Sequence, residues 1–321
     1  MDIRTAIADP NLFAPFLGDD SWHAWHAILA AMQGLPLSER ETETFRRLTG
    51  RTEAPTAPAE ELWVAAGRRG GKTRAAAVLG VYLAALRDYR AVLAPGERAV
   101  VLLLGRDTRQ ARVAFNYASA VIDNVPLIKR MVKSRTAEQI SLTNAVDLEI
   151  RPASFRGLRG PTFAAVIADE IAFWLDAEGG SANPSDEILD AVRPGLATTG
   201  GPLIAISSPY RRAGPLWDTF RRSYGVDNDP VLVVQAPSRS LNPTLKQSVV
   251  DRALEKDPAA ASAEYLAEFR DDITGFLDPA WIDAAMRKEA TDLPKHEGTR
   301  YTAFCDPSGG RGDGFTLAIG H

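Results

Sequence analysis

Cysteine and histidine are scarce in this chain of 321 residues, which holds one cysteine, Cys305, and four histidines. A single cysteine excludes a disulfide within the chain and a zinc site built from cysteines. The histidines are too few and too scattered for a histidine-rich metal site. The chain is nevertheless long enough to bury a substantial core without disulfides or structural metals.

Long hydrophobic runs and an excess of positive charge are also absent. The longest apolar stretch, Ala75 to Leu86, is shorter than the roughly 20 residues that a membrane helix needs. The N-terminus lacks the pattern of a signal peptide. Lys and Arg number 37 and Asp and Glu 41, for a net charge of -4. We therefore expect a soluble, cytosolic-type protein with no membrane partner and no uniformly basic surface, although a local basic patch is allowed.

Composition along the chain separates four regions. Residues 1–58 show helical spacing and end in a loop, and residues 59–239 alternate short apolar runs with helix-length segments. Residues 240–297 predict two short helices interrupted at Pro258, and residues 298–321 restart a strand pattern. Because roughly 25 residues cannot bury a core, we interpret the last region as the opening hairpin of a further unit and the chain as a fragment of something longer.

The region 59–239 has the pattern of an α/β domain. Its apolar runs lack strict polar alternation, which is typical of strands buried on both faces, and helix-length segments lie between them. We therefore expect a mainly parallel sheet covered by helices on both faces. The runs occupy residues 62–66, 99–105, 147–150, 164–169, 202–207 and 231–235.

The segment AAGRRGGKT, residues 65–73, carries the strongest chemical signal. It follows an apolar run and precedes a helical pattern, which is the context of a P-loop. Its glycines let backbone N–H groups approach phosphate oxygens, Lys72 would reach the β- and γ-phosphates, and the Thr73 hydroxyl would ligate Mg²⁺. The predicted nucleotide-binding residues are Gly67, Gly70, Gly71, Lys72 and Thr73. The strict pattern has glycine where this chain has Ala66, and the alternative is a glycine-rich turn with a helix-capping threonine.

Three arginines are candidates for stabilising the charge that develops during phosphoryl transfer. Arg68 and Arg69 precede Lys72 closely enough for one of them to bend back onto the γ-phosphate as an arginine finger in cis. Arg159, in the stretch FRGLRG, is a candidate finger in trans, onto the nucleotide of a neighbouring subunit. The alternatives are a solvated or DNA-facing side chain for the first two and a solvated loop for Arg159.

An acidic pair, Asp169 and Glu170, follows one of the predicted strands. Ligands bind at this end of the strands in a doubly wound sheet. Asp169 would hold Mg²⁺ through water, and Glu170 would polarise the attacking water, a role that a hydrolase needs and a kinase does not. Ser207 and Ser208 end another strand and are candidates for sensing the γ-phosphate. The alternatives are a pair that caps the next helix and a plain turn after the strand.

Two basic clusters are candidate contacts to a DNA backbone. One lies at residues 129–135. The other contains Arg211, Arg212, Arg221 and Arg222, with Trp217 and Phe220 between them. The alternative is that both clusters simply face water.

Together these segments resemble the large terminase subunit of tailed bacteriophages, the motor that packages genomic DNA. The resemblance covers nearly the whole chain, and its parts follow the family's order: SWHAWHAIL, AGRRGGKT, FRGLRG, VIADEIAFW, ISSPY, LNPTL, AEYLAEFRDD and CDPSGGRGD. An arginine-containing phosphate loop is itself typical of terminases. The resemblance implies a P-loop NTPase of the additional-strand ATPase class that binds ATP with Mg²⁺, with Asp169 and Glu170 as its acids. It also implies that ISSP couples the ATP state to movement and that residues 240–275 form a small helical lid or linker.

The adenine site is the least defined part of the resemblance. Many family members use a glutamine near the N-terminus of the motor domain, where this chain has WHAWH. One interpretation is that Trp22 or Trp25 stacks on the base; a pair of core tryptophans is favoured.

The resemblance further implies a C-terminal nuclease domain of the RNase H-like type, of which residues 298–321 would be the first hairpin. Asp306 matches the first metal-binding aspartate, and Asp313 is a weaker candidate. A two-metal nuclease needs several carboxylates to hold its Mg²⁺ or Mn²⁺ ions. The others would lie beyond His321, so we expect nuclease activity only in a longer protein.

The expected function is ATP-driven translocation of double-stranded viral DNA into a procapsid, in the cytoplasm of a bacterial host. The implied partners are double-stranded DNA, a small terminase subunit, a portal protein and further copies of the chain in a ring. One alternative is another P-loop DNA-dependent ATPase, of a helicase or recombination type. A second is an ATP-binding assembly module with negligible turnover, against which the intact Glu170 argues.

Overall fold

A computed structural model of the chain describes residues 1–153, 157–176, 184–270, 296–306 and 316–320. The chain divides into two compact units, residues 1–274 and residues 275–321. In the described parts, no helix combines the length and the apolar character that crossing a membrane would require.

The larger unit is built on an eight-stranded sheet with the order β3-β4-β5-β2-β6-β7-β1-β8. The pairs β5–β2, β2–β6, β6–β7, β7–β1 and β1–β8 are all parallel, and β4 pairs antiparallel with β5 and with β3. The strands are Glu61–Ala66 (β1), Ala99–Gly105 (β2), Val132–Arg135 (β3), Gln139–Leu142 (β4), Val146–Pro152 (β5), Thr162–Asp169 (β6), Leu203–Ser207 (β7) and Val231–Ala236 (β8).

Helices connect these strands and cover the sheet. They are Ile3–Ala8 (α1), Ala14–Leu17 (α2), His23–Met32 (α3), Glu39–Thr49 (α4), Lys72–Ala85 (α5), Thr108–Asn124 (α6), Pro126–Lys129 (α7), Pro184–Leu196 (α8), Pro215–Ser223 (α9), Ser238–Leu241 (α10), Gln247–Lys256 (α11) and Pro258–Ala261 (α12). Short 3₁₀ turns at Asp20–Trp22 and Ile171–Asp176 and a π turn at Ser262–Leu266 complete the described unit.

The strand order places an extra strand between the two that precede the glycine-rich loop and end in the acidic pair. The strand before the glycine-rich loop, β1, and the strand that ends in the acidic pair, β6, are separated by β7. Such an inserted strand is what the additional-strand class implies. The predicted fold, a mainly parallel α/β sheet covered by helices, is confirmed.

The sheet is buried on both faces because alternate residues of its central strands enter two different cores. Leu62 and Val64 of β1 belong to the core covered by helices α1 to α7, whereas Trp63 and Ala65 belong to the core covered by α8 and α9. All seven residues of β2 are buried. This explains why the sequence shows unbroken apolar runs instead of polar alternation.

The N-terminal helices are part of the first core and are tied to the far strand of the sheet. Ser38 and Glu41 form a capping box that starts α4, and Gly50 ends it in the left-handed conformation. The buried guanidinium of Arg51 then donates to the carbonyls of Asp229 (3.1 Å) and Val231 (2.6 Å) beside β8. Residues 1–58 therefore help to hold the amino end of β8, the strand at one side of the sheet.

The antiparallel strands β3 and β4 were not predicted. Each has four residues, and β3, with the sequence VKSR, is largely exposed at the edge of the sheet. An exposed edge strand does not need an apolar run. The sequence of β3 therefore shows only the basic cluster at residues 129–135, with no pattern that predicts a strand. The structure shows that this cluster includes an edge strand.

The segment after β8 is helical, as predicted. Helices α11 and α12 are separated at Asp257, whose side chain caps the second of them. The smaller unit contains two described strands, Thr302–Asp306 (β9) and Thr316–Gly320 (β10), which pair antiparallel with Phe304 opposite Ala318. The predicted hairpin is therefore present.

Candidate active site

Three strand ends meet at the carboxyl edge of the sheet and bring the predicted chemical groups together. The glycine-rich loop follows β1, the acidic pair ends β6, and Ser207 and Ser208 end β7. Because these three strands are neighbours and parallel, their carboxyl ends lie side by side. The inserted strand β7 therefore places two hydroxyls between the loop and the acids.

The glycine-rich loop requires glycine at Gly71 for two reasons. Gly71 has φ +79° and forms the N-cap of α5, a left-handed conformation that favours glycine. A Cβ atom there would lie 2.7 Å from the Trp22 ring. The loop therefore brings its backbone and the amino end of a 14-residue helix to the same place, which is the arrangement that binds phosphate.

Lys72 is the first residue of α5 and is almost fully buried. Its Nζ lies 3.1 Å from Glu170 Oε1 and 3.0 Å from Ser208 Oγ. One ammonium group thus joins the phosphate loop to the ends of β6 and β7. The sequence placed these groups on three separate segments, and the fold brings them within hydrogen-bonding distance.

Thr73 and Asp169 form the second contact across the site. The Thr73 hydroxyl donates to Asp169 Oδ2 at 3.3 Å, whereas the buried Asp169 Oδ1 has no hydrogen-bond partner. Burial, followed by the nearby carboxylate of Glu170, raises the pKa of Asp169 to about 7. A buried carboxylate oxygen without a hydrogen-bond partner lowers the stability of the folded protein unless a cation or a hydrogen-bond donor reaches it.

These two residues fit Mg²⁺. It prefers hard oxygen ligands and usually takes one or two protein groups together with phosphate oxygens and waters. The Thr73 hydroxyl and the unsatisfied Asp169 oxygen are such groups. Within the described ranges, no cluster of three or more His, Cys, Asp or Glu side chains that could hold a metal ion is found.

Glu170 is held in an unusual backbone conformation. Its φ is +55°, and its N–H donates to the Ile206 carbonyl at 2.7 Å. Its Oε2 accepts from the Ser208 N–H at 3.2 Å and lies 3.1 Å from Ser207 Oγ. Together with Lys72 on Oε1, these contacts orient the carboxylate. Non-glycine residues at positive φ often occur at functional sites.

The two loop arginines differ in their surroundings. Arg68 Nη1 lies 3.1 Å from Glu264 Oε1 of the π turn, and the two side chains are 62% and 41% exposed. Arg69 is exposed and has φ +63°. The predicted role of a finger in cis stays a prediction for each.

Arg159 lies away from this chain's own acidic pair. It is exposed and precedes the start of β6 by three residues, whereas Asp169 ends that strand. The eight residues of β6 extend over roughly 23 Å. Arg159 is therefore nearer to the amino end of β6 than to the acidic pair of its own chain, and its role as a finger in trans stays a prediction.

The two N-terminal tryptophans have different environments. Trp25 is 1% exposed, as expected of a core residue, and its Nε1 donates to the Gly70 carbonyl at 2.8 Å. Trp22 is half-buried, with the Arg74 guanidinium 5.0 Å from its ring centre. A cavity of about 320 Å³ adjoins Trp22 and the loop glycines. The base-stacking interpretation thus concerns Trp22 alone.

Three residues that contact the loop were missed by the sequence interpretation. Ser238 and Asn242, just after β8, donate to loop carbonyls, and Glu264 pairs with Arg68. The signal that could have found the first two is the position of SRSLNPTL, residues 238–245, just after a strand that ends at the same edge as β1. The stretch contributes to the family resemblance, but no contact followed from it.

The two basic clusters lie toward opposite edges of the sheet. Residues 129–135 end in β3, the strand at one edge, and α9 packs beside β8 at the other edge. Seven strand spacings separate these edges by roughly 34 Å. In the first cluster Arg135 already pairs with Asp123 at 2.9 Å, whereas Arg221 and Arg222 of the second are exposed.

The predicted nuclease aspartates stay predictions. Asp306 is the last residue of β9, and its side chain lies outside the described part of the chain. Asp313 also lies outside the described residues, as does Arg156 of the FRGLRG stretch.

No protein-family model matches the sequence, and no curated protein matches it. Solved structures do match. The ATPase domain of the large terminase of Thermus phage P74-26 matches with a TM-score of 0.51 and 18% identity, over 75% of this chain and 97% of that one. This chain has the fold of a phage large-terminase ATPase domain.

A second match supports the same fold. The large terminase of bacteriophage HK97 matches with a TM-score of 0.53 and 17% identity, over 82% of this chain and 56% of that one. This chain thus spans 56% of the length of the HK97 large terminase. At these identities the likeness is one of fold, and the predicted resemblance to the terminase ATPase domain is confirmed at that level.

Proposed function

We propose that this chain is the motor portion of a phage large terminase, which hydrolyses ATP to translocate double-stranded DNA into a procapsid. The observation that carries the proposal is the meeting of Lys72, Thr73, Asp169 and Glu170 at one sheet edge. It occurs on a fold shared with large-terminase ATPase domains. A sheet edge with a phosphate loop alone would suit many nucleotide-binding proteins; the added Glu170 favours a hydrolase.

Each residue has a distinct task in hydrolysis. The loop amides and Lys72 bind the phosphates, and Lys72 neutralises charge on the transferred group. Thr73 and Asp169 would hold Mg²⁺, which supplies charge neutralisation between the phosphates. Glu170 accepts a proton from the attacking water, because Lys72, Ser207 and Ser208 orient its carboxylate at the edge of the phosphate site.

The cavity beside the loop suits the nucleoside part of the ligand. Its volume of about 320 Å³ lies within the usual range for small-molecule sites. The half-exposed Trp22 ring faces it together with Arg74, Leu241 and Asn242. An aromatic face beside a phosphate loop is suited to stacking on a base.

The decisive experiment measures ATP hydrolysis by this chain, with and without double-stranded DNA, beside the Glu170→Gln variant. We expect Glu170→Gln to lower kcat by about 10²- to 10⁴-fold, the usual contribution of a general base, while ATP binding persists. Glu138→Gln, an exposed glutamate beside β4, is the matched control and should leave turnover unchanged.

The outcomes separate the competing functions. Turnover that DNA stimulates and Glu170→Gln abolishes supports the motor. Turnover that DNA does not affect supports a different P-loop ATPase. Tight ATP binding by the wild-type chain assembled with its partners, without turnover, supports an assembly module and contradicts the proposal.

We propose the α9 surface, with Arg221 and Arg222, as a contact to the DNA backbone. These residues are exposed on the sheet edge next to β8. Replacing both with alanine should weaken DNA binding and reduce the slope of log affinity against log salt by about 0.9 for each phosphate that is no longer neutralised. Lys129 and Lys133, exposed near the opposite edge, are the matched pair, and an equal effect there would contradict the assignment.

The remaining expectations concern a longer protein and its assembly. We propose that the whole protein carries an RNase H-like nuclease whose first metal ligand is Asp306, and that it assembles as a ring with a small terminase subunit and a portal protein. In that ring Arg159 acts on the neighbouring subunit's nucleotide. Full turnover by Arg159→Ala in an assembled ring would rule out this role.

A further inference from the structure

Three successive carbonyls of the phosphate loop each accept a hydrogen bond from a side chain of another segment. The bonds are Ser238 Oγ to the Arg68 carbonyl (2.6 Å), Asn242 Nδ2 to the Arg69 carbonyl (2.9 Å) and Trp25 Nε1 to the Gly70 carbonyl (2.8 Å). None of the three donors belongs to the loop. Trp25 belongs to α3, Ser238 begins the short helix α10, and Asn242 follows that helix directly.

These bonds also determine where the loop amides point. In a trans peptide the C=O of one residue and the N–H of the next are directed oppositely, and the described chain contains no cis peptide. The N–H groups of residues 69, 70 and 71 therefore point away from Ser238, Asn242 and Trp25, and stay available to a phosphate. The Gly70 N–H makes a long 3.2 Å contact to the Gly67 carbonyl, which a phosphate oxygen can share.

The loop is held closely by the same segments. A Cβ on Gly67 would lie 2.7 Å from both the Ser238 nitrogen and the Tyr265 carbonyl oxygen. Ser238 is fully buried, and Trp25 is nearly so. Glycine-rich backbone is intrinsically mobile, so the order of this loop depends on partners outside it.

We propose that Ser238, Asn242 and Trp25 are positioning residues that set the phosphate affinity of the loop by orienting three of its peptide groups before the nucleotide arrives. This proposal rests on the proposed function, because it assumes that the loop binds nucleotide phosphates. A loop that is already ordered loses less freedom on binding, so the donors act mainly on affinity. The chemical step, which uses Glu170, is left almost unchanged.

The test compares Ser238→Ala, Trp25→Phe and Asn242→Ala with the wild-type chain. Ser238→Ala and Trp25→Phe are the cleanest because each removes one buried donor and neither side chain adjoins the cavity. Removing one hydrogen bond should raise the Kd for ATP and the KM by about three- to tenfold, with kcat within about twofold of the wild type.

Arg239→Ala is the matched control. Arg239 is the neighbour of Ser238, but its side chain donates to the Leu245 carbonyl and to Gln247 and, among the described residues, to no atom of the loop. Affinity should therefore be unchanged in this variant. Tripolyphosphate serves as a second probe because it has no base or sugar, and its affinity should fall in parallel with that for ATP.

The outcomes keep this inference separate from the proposed function. A wild-type chain that binds no ATP contradicts the proposed function. A wild-type chain that binds ATP, with variants that melt earlier but bind ATP and tripolyphosphate equally well, contradicts the positioning role alone. A fall in kcat with unchanged KM would also overturn it.

Discussion

The phosphate loop and the acidic pair sit at the same sheet edge, yet the protein holds them in different ways. Each contains a non-glycine residue at positive φ, Arg69 and Glu170. The loop is held through its carbonyls, by side chains from α3 and from the segment after β8. The acidic pair is held through its carboxylates, by Lys72 and by the end of the neighbouring strand.

This difference follows from the atoms that each segment uses. The loop binds through its backbone N–H groups, which must face the ligand. Its carbonyls then point away from the ligand and need hydrogen-bond donors from other segments. The acidic pair works through its side chains, so it tolerates an unfavourable backbone at Glu170 in exchange for an oriented carboxylate. Substitutions that affect the loop should therefore change nucleotide affinity, whereas substitutions in the acidic pair should change turnover or the response to Mg²⁺.

The largest effect is expected from Gly71→Ala. A methyl group there meets the Trp22 ring at 2.7 Å and also forces a side chain into a left-handed backbone. Strain of about 3 kcal/mol corresponds to a loss of roughly 100-fold in ATP affinity, measured by nucleotide titration. Gly96→Ala is the control, because Gly96 has φ +87° and open space around it. This variant has the unfavourable backbone conformation without the steric clash, and it should retain ATP affinity.

A second prediction concerns the buried carboxylate of the acidic pair. The pKa of Asp169 is raised to about 7 in the folded protein. Its charged form therefore lowers stability increasingly as the pH rises from about 4 through 7. At pH 8 we expect Asp169→Asn to increase the free energy of unfolding by about 1–3 kcal/mol and to abolish the stabilisation that Mg²⁺ adds to bound ATP, both measured by thermal unfolding.

Asp147→Asn is the matched control for that prediction. Asp147 is also buried, but Arg98 donates to it at 2.6 Å. Removing one partner of a part-buried ion pair should lower stability. If both asparagine variants shift stability in the same direction, the distinction between an unsatisfied and a satisfied carboxylate is wrong.

Ser207→Ala should have an intermediate effect, on turnover alone. Ser207 Oγ lies 3.1 Å from Glu170 Oε2, but the Ser208 N–H and Lys72 still orient the carboxylate without it. Removing this hydroxyl should lower kcat by roughly tenfold, the equivalent of one hydrogen bond to a charged group. A change in KM of similar size would place Ser207 with the phosphate-binding groups instead.

The smallest effect is expected at the exposed ion pair between Arg68 and Glu264. Because both side chains are substantially exposed, Glu264→Ala should change the free energy of unfolding by less than about 1 kcal/mol. Arg68→Ala should be equally mild for stability. If Arg68 acts as a finger, however, its removal lowers turnover by about 10³-fold, whereas Glu264→Ala leaves turnover unchanged.

Much of the sheet could be predicted because burial on both faces leaves a direct trace in the sequence. All six apolar runs are strands, since a strand such as β2 with both faces covered must be apolar throughout. The edge strands β3 and β4 leave no such trace because their residues are partly exposed and polar. Strand β4 joins the sheet by pairing with β5, and β3 pairs with β4.

Those parts of the candidate site whose chemistry lies within one sequence segment could be predicted. Strand, glycines, Lys72, Thr73 and helix are contiguous, and Asp169 and Glu170 end a strand that the sequence identifies. The partners of the loop carbonyls at Arg68 and Arg69 were not predictable, because Ser238 and Asn242 are 170 and 173 residues away in the chain. The same holds for Glu264, the distant partner of the Arg68 guanidinium.

The local chemistry of this protein can be read from its sequence: a phosphate-binding loop, a carboxylate pair and a parallel sheet each follow from neighbouring residues that obey steric and burial rules. The insertion of β7 between β1 and β6, which brings Ser208 to Lys72, and the three distant donors that hold the loop emerge in the folded chain. Strand order and long-range hydrogen bonds arise when the whole chain packs. No local pattern records them.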